Sequence, residues 1–146
     1  MKYLLTLLAL IVVSAVSAQS FVGRWKTIDD ETGKPKSIVE IYKNGDVYEG
    51  KILKLFRTPD QDQDPVCDKC EDDDPRYMKK IIGMVIVKDM VYDKDDEVLD
   101  DGTILDPKKG EVYDCKIWVE DGKLQVRGYV MFLYRTQTWL PFTGEI

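Results

Sequence analysis

Period-two alternation of apolar and polar residues around two turn dipeptides constrains the fold of this chain more than any other feature. The dipeptides are Asn44-Gly45 and Asp121-Gly122, and both suit the left-handed backbone of a two-residue hairpin turn. β-type stretches flank them at residues 38–42, 47–56, 112–119 and 124–134. The sequence therefore predicts antiparallel hairpins.

Pairing across Asn44-Gly45 predicts Ile41 opposite Tyr48 and Val39 opposite Gly50. These four residues share one face of the sheet, which we assign to the interior.

Pairing across Asp121-Gly122 predicts three facing pairs, namely Val119 with Leu124, Ile117 with Val126 and Cys115 with Gly128. The same alternation assigns six residues to the inner face: Tyr113, Cys115, Ile117, Val126, Val130 and Phe132.

Further strands are predicted at residues 21–27, 81–88, 102–105 and 135–139. Six or more short strands favour an all-β fold with little helix, a small antiparallel closed or nearly closed β-barrel, because closure removes exposed sheet edges. The Pro- and Asp-rich residues 58–76 are expected to form one long surface loop.

The N-terminus has the three zones of a secretory signal peptide. Lys2 is followed by an apolar stretch at 3–13, and small residues end at Ala18. We therefore predict a signal peptide at 1–18, a single barrel domain at 19–146, no membrane anchor after cleavage, and a periplasmic or secreted location.

Composition excludes several classes of function. The chain has no histidine and a net charge of −6. Histidine-dependent catalysis and His-ligated zinc or haem are thereby excluded, and the negative charge argues against binding nucleic acid or anionic lipid surfaces. No group of carboxylates or thiols suggests a catalytic site, so we predict no catalytic residue, no metal and no cofactor.

Gly23-Arg24-Trp25 near the start of the barrel domain, together with Arg135 in the last predicted strand, resembles the signature of calycins, the lipocalins and fatty-acid-binding proteins. The resemblance implies that Trp25 plugs the base of a lipocalin-like barrel and that Arg135 packs over its indole ring.

A second resemblance extends over nearly all of the barrel domain. Matching residues lie at 23–25, 39–42, 50–52, 65–70, 82–83, 102–107, 110, 113, 115, 127–129 and 135–139. They are similar to the bacterial secreted family called domain of unknown function 2147. This resemblance implies an exported lipocalin-like barrel and brings no established activity.

Three cysteines cannot all pair within one chain, so one thiol is left over. Cys67 and Cys70 have the spacing Cys-x-x-Cys, whereas Cys115 lies in a strand. We expect a disulfide within this trio, because secreted cysteines usually pair. Cys67–Cys70 suits the spacing, and pairing of either residue with Cys115, thiol redox chemistry and metal binding stay open as alternatives.

The acidic loop resembles a calcium-binding EF-hand loop only in part. Asp60, Asp62, Asp64 and Glu71 have the required spacing, but Pro65 stands where the loop needs glycine. A solvated acidic loop is the favoured interpretation, with weak calcium binding by another geometry as a side hypothesis. Residues 106–110 predict a turn.

Two functional hypotheses follow from the aromatic residues. In the first, the barrel binds a small apolar or amphipathic ligand at its open end, with Tyr48, Tyr113, Phe132 and Gln137 as pocket candidates. In the second, the barrel is filled, and outward-facing Trp118, Tyr129 and Tyr42 make it a structural or protein-interaction module of the cell envelope.

Overall fold

The computed structural model describes residues 20–146, which form an eight-stranded antiparallel closed barrel. The strands are β1 (Gly23–Ile28), β2 (Pro35–Asn44), β3 (Val47–Leu55), β4 (Val85–Asp93), β5 (Val98–Asp106), β6 (Glu111–Glu120), β7 (Lys123–Val130) and β8 (Leu133–Pro141). The sequence predicts little helix, and these residues contain none. The predicted signal peptide at 1–18 lies outside the described residues.

Closure is made by backbone pairing between the first and last strands. Each strand pairs with its neighbours along the chain, and β1 returns to β8 through Trp25 opposite Pro141 and Lys26 opposite Leu140. The predicted antiparallel barrel is confirmed, and closure gives each strand two hydrogen-bonded neighbours.

The hairpin at Asp121-Gly122 has the predicted register. Val119, Ile117 and Cys115 face Leu124, Val126 and Gly128. Of the six residues predicted to face inwards, Cys115, Ile117 and Val126 are buried and Tyr113 is half-buried.

The predicted strand at 124–134 is wrong beyond Val130. A turn at Met131-Phe132 divides it into β7 and β8, and Val130 pairs with Leu133. Phe132 lies at the turn and is 85% exposed rather than interior, whereas Val130, at 48% exposure, lies on the inner face at the open end of the barrel as predicted. The apolar run continues through this turn without a Gly, Pro, Asn or Asp, so the usual turn signal is missing.

The other hairpin differs from the predicted register by two residues. Its turn is Gly45-Asp46, which pairs Ile41 with Gly50 and Lys43 with Tyr48. Gly45 takes the first central position with a φ of 62°. Because a shift of two residues preserves the faces, the predicted inward assignment still holds, with Val39, Ile41 and Gly50 buried.

The two ends of the barrel differ in packing. The packed end lies at the β2–β3, β4–β5 and β6–β7 turns. Its interior is filled by the segment before β1 and by inward residues of the strands: Phe21, Trp25, Ile41, Tyr48, Met90, Leu99, Ile117 and Leu124. The open end lies at the β1–β2, β5–β6 and β7–β8 turns and at the long β3–β4 connection.

Trp25 and Phe21 organise the packed end. The Trp25 indole N–H donates to the Phe21 carbonyl oxygen at 2.9 Å, and Trp25 is 6% exposed. The Phe21 ring makes edge contacts with Tyr48 and Tyr92, at centroid distances of 6.3 and 5.9 Å. The buried indole expected from the calycin resemblance is therefore present.

Candidate functional site

A cavity of about 720 Å³ occupies the open end of the barrel. Its wall is built from residues of the strands, of the long β3–β4 connection and of the β5–β6 turn. The apolar residues of the wall are Ile52, Leu55, Pro65, Val66, Ile81, Ile86, Ile104, Leu105, Pro107, Val126, Val130, Leu133 and Trp139. This volume lies within the usual range of small-molecule pockets, roughly 300–1,000 Å³.

Two of the four predicted pocket residues line the cavity and place polar groups on its wall. Tyr113 donates its hydroxyl proton to the Glu111 carboxylate; burial, and then this hydrogen bond, raise the pKa of Tyr113 to about 12. Tyr113 is therefore a neutral group at physiological pH.

Gln137 is the second predicted pocket residue that lines the cavity. Its Nε2 donates to Asp30 Oδ2 at 2.7 Å, and its Oε1 accepts the Trp139 indole N–H at 3.2 Å. These two hydrogen bonds hold the buried Trp139 indole in the cavity wall.

The other two pocket candidates lie elsewhere. Tyr48 faces inwards as predicted, but it belongs to the packed end, where it contacts Phe21. Phe132 lies in the β7–β8 turn and points to solvent. Alternation identifies the inner face but carries no information about the height of a residue along the barrel, which accounts for the error at Tyr48.

The predicted pairing of Arg135 with Trp25 is wrong. Trp25 lies opposite Pro141, and Arg135 is six residues nearer the start of β8, about 20 Å along the strand. Arg135 lines the open end, and its Nη2 lies 3.3 Å from Asp30 Oδ2. The barrel is closed by the β1–β8 hydrogen bonds, and Arg135 does not lie over the Trp25 indole.

Six basic residues surround the opening of the cavity: Lys36, Arg57, Lys69, Lys108, Lys109 and Arg135. Three carboxylates also line it, those of Asp62, Asp68 and Asp106. The sequence gives no signal for this basic rim, because its members come from several separate segments and no stretch of the chain is conspicuously basic.

The Cys67–Cys70 disulfide closes a small loop at this rim. The predicted disulfide is confirmed, and the alternative pairings with Cys115 are wrong. The loop packs on the β5–β6 turn, where Gly110, at a φ of 73°, leaves no room for a Cβ atom against the Lys69 carbonyl. Lys69 is thereby placed beside the opening.

Cys115 is a free, buried cysteine. Burial raises its pKa to about 12, and the negative charge of Asp100 adds to the effect. A buried thiol with so high a pKa is a poor nucleophile.

The acidic loop forms local contacts. Asp62 Oδ1 accepts the Asp64 backbone N–H at 3.0 Å, and Asp64 Oδ2 lies 2.5 Å from Lys80 Nζ. Across residues 20–146, no three His, Cys, Asp or Glu side chains are grouped so that they could hold a metal ion.

An aromatic cluster lies on the outer surface and reaches the opening of the cavity at Tyr134. The Arg127 guanidinium stands 4.9 Å from the Trp118 ring centroid and 4.2 Å from that of Tyr134, and Tyr134 in turn packs against Tyr129. We call these four residues the outer aromatic cluster. Next to it, the β7–β8 turn exposes Met131 and Phe132.

The chain is similar to one protein family and to a solved structure. The model of a family described as "Uncharacterized protein conserved in bacteria (DUF2147)" matches residues 23–140. Among solved structures, the chain is similar to protein HP1028 from the human pathogen Helicobacter pylori, described as belonging to the lipocalin family. The TM-score is 0.70 at 15% identity, with 85% of this chain and 84% of that chain covered.

No curated protein matches the chain. Within the described residues, no helix has the length and apolar character needed to cross a membrane.

Proposed function

The chain belongs to the DUF2147 family of uncharacterised bacterial proteins, and from this premise we propose that it is an exported lipocalin-like barrel that binds a small apolar or amphipathic ligand. The cavity at the open end carries the proposal. Its inner wall is apolar and its charged residues lie around the opening, which suits an apolar or amphipathic ligand.

Two features support export to the periplasm or the medium. The first 18 residues have the composition of a signal peptide, and Cys67 and Cys70 are paired. Structural disulfides persist mainly in oxidising compartments. Mass spectrometry of protein isolated from the periplasm and the medium tests this: a mature N-terminus at Gln19 is expected, and an intact Met1 would contradict it.

A cavity-filling variant tests the binding site. Gly128 lines the cavity, and a Cβ atom there would meet only ordinary contacts, the nearest being Tyr113 Cβ at 3.4 Å. Gly128→Leu therefore adds volume inside the cavity without a clash at its first atom. We expect the wild type to bind the neutral fluorophore N-phenyl-1-naphthylamine and this variant to lose at least tenfold in affinity.

Lys123→Leu is the matched control, because it introduces the same leucine side chain at an exposed position of the same strand. Circular dichroism establishes that both variants are folded. If the wild type and Gly128→Leu bind the fluorophore with equal affinity, the cavity is not the binding site. Native mass spectrometry of protein purified from its own host then identifies a retained ligand by mass.

A second candidate function is a protein-interaction module of the cell envelope. The outer aromatic cluster favours it, because Tyr134 is 62% exposed and the adjoining Met131 is 88% exposed. Tyr, Trp and Arg are enriched at interfaces. In-cell crosslinking from position 134 should then capture one partner, and Trp118→Ser should abolish the capture. A ligand-filled cavity with no crosslinked partner would contradict this function.

A further inference from the structure

We infer that the ligand is an amphipathic anion, whose carboxylate or phosphate headgroup binds at the basic rim while its apolar tail enters the cavity. This inference rests on the proposed function and specifies the chemistry of its ligand. It follows from the arrangement of charges around the opening.

Four of the six rim cations have no carboxylate partner. Among residues 20–146, no carboxylate lies within 4.0 Å of the charged groups of Lys36, Arg57, Lys69 and Lys109. The other two are paired, Lys108 with Glu31 at 3.8 Å and Arg135 with Asp30 at 3.3 Å. The rim therefore holds positive charge available to a ligand.

The carboxylates of the opening offset this charge only in part. Asp106 accepts the backbone N–H of Lys108 at 3.0 Å, and Asp62 accepts that of Asp64 at 3.0 Å. Six cations and three anions line the cavity of a chain whose net charge is −6. The lining residues thus carry a net charge of +3, which falls to +1 when the two carboxylates of Glu31 and Asp30, the partners of Lys108 and Arg135, are counted with them.

The cavity has a gradient of polarity that suits one orientation of such a ligand. Its inner wall is apolar at Ile86, Val126 and Trp139, whereas the unpaired cations lie at the opening. An anionic amphipath satisfies both regions when its tail points inwards. An alkylammonium ion would bring like charges together, and a neutral amphipath would leave the cations unpaired.

Local structure holds two of the cations in position. Lys69 lies between the bonded Cys67 and Cys70, and its carbonyl packs against Gly110. Lys36 lies in β2 and is half-buried. Positions fixed before binding reduce the entropy lost when the headgroup is bound.

Headgroup exchange on a constant tail tests the inference. Dodecanoate, dodecyl phosphate, dodecanol and dodecylammonium would be titrated by displacement of N-phenyl-1-naphthylamine at pH 7.5. The ionic compounds are kept below their critical micelle concentrations and dodecanol below its solubility limit. We expect the two anions to bind at least tenfold more tightly than dodecanol, and dodecylammonium to bind most weakly. The preference of the anions should shrink with added salt, because exposed charges are screened.

Charge-removing variants locate the effect. Each single charge-removing change should lower the affinity for dodecanoate about two- to fivefold, the usual range for an exposed ion pair. The four changes are Lys36→Gln, Arg57→Gln, Lys69→Gln and Lys109→Gln. The quadruple variant should lose at least tenfold in affinity for dodecanoate, and its affinity for dodecanol should be unchanged. Lys123→Gln at the packed end is the matched control.

The outcomes separate the two proposals. If none of the four compounds nor the fluorophore binds, the proposed ligand-binding function fails. If dodecanol binds as tightly as dodecanoate, the cavity function stands and the anionic headgroup is overturned. Equal losses from Lys123→Gln and the rim variants would also overturn it, because overall charge would then be responsible. A preference for one anion over the other identifies the headgroup as carboxylate or phosphate.

Discussion

The two ends of this barrel are made from the same eight strands, yet one end is filled and the other encloses a cavity. At the packed end, Leu99, Ile117 and Leu124 are fully buried against one another and against Phe21 from the segment before β1. At the open end, the inward residues surround about 720 Å³ of space, and loops rather than a plug cover it. Inward alternation alone therefore does not decide whether a barrel is a core or a container.

The comparison predicts unequal costs for the same substitution at the two ends. Leu99→Ala removes a side chain with 0% exposure and should lower the free energy of unfolding by about 3–5 kcal/mol. Leu133→Ala, at the open end with 66% exposure, should change it by less than about 0.5 kcal/mol. Urea unfolding measures both values. Similar losses would show that the open end is packed as tightly as the other.

Two glycines with the same backbone conformation give a second contrast. Gly110 and Gly122 have φ values of 73° and 72°, but a Cβ atom would overlap the Lys69 carbonyl only at Gly110. Gly122→Ala should cost about 1 kcal/mol from backbone strain. Gly110→Ala should lower the free energy of unfolding by about 3 kcal/mol, because it also displaces the disulfide loop. Equal values in thermal unfolding would mean that this loop does not depend on Gly110.

The disulfide should stabilise the open end moderately. Replacing Cys67 and Cys70 together by serine should cost about 2 kcal/mol, since the bond closes a loop of only four residues. The same variant should weaken dodecanoate binding, because Lys69 loses its fixed position.

Urea unfolding and the displacement titration measure the two effects of that variant. Thiol titration of the unfolded, unreduced wild type is the control and should count one thiol, that of Cys115. A count of three would contradict the disulfide itself.

An acid-sensitive ion pair ties the long β3–β4 connection to the barrel and gives the smallest expected effect. The hydrogen-bonded Arg76 guanidinium lowers the pKa of Asp74 from 3.8 to about 2, and Arg76 also donates to the Val85 carbonyl oxygen at 3.2 Å. Because the folded-state pKa is the lower one, this stabilisation is present above about pH 4 and is lost as pH falls towards 2.

Asp74→Asn should therefore lower the free energy of unfolding by about 1 kcal/mol at pH 6 and leave it almost unchanged at pH 2. Unfolding by urea across this pH range checks the prediction. Asp72→Asn, at an exposed position two residues away, is the matched control and should show no comparable change. A pH-independent difference between wild type and Asp74→Asn would contradict the role of this ion pair.

Some elements could be predicted because their signals are local. Asp121-Gly122 fits its turn in one way, so the register of β6 and β7 followed from the sequence. Around Gly45, both Asn44-Gly45 and Gly45-Asp46 suit a two-residue turn. The predicted turn is Asn44-Gly45, whereas the structure has Gly45-Asp46. At Met131-Phe132 no turn residue is present, so the boundary between β7 and β8 was missed.

The site was harder to predict than the strands. Of the predicted pocket residues, Tyr113 and Gln137 line the cavity, whereas Tyr48 lies at the packed end and Phe132 in the β7–β8 turn. Arg135 was assigned to the base of the barrel from the calycin resemblance but lies at the opening. The basic rim had no signal in the sequence, because Lys36, Arg57 and Lys109 belong to different segments.

The sequence by itself determined the all-β class, the inner and outer faces of most strands and the likeness to the DUF2147 family. These properties depend on a two-residue period and on short motifs, which a linear chain displays directly. Only the tertiary structure decided the height of each residue along the barrel, the position of the cavity and the clustering of cations at its opening. Those properties depend on the stagger of the strands at closure and on which loops meet, and both are set by contacts between distant parts of the chain.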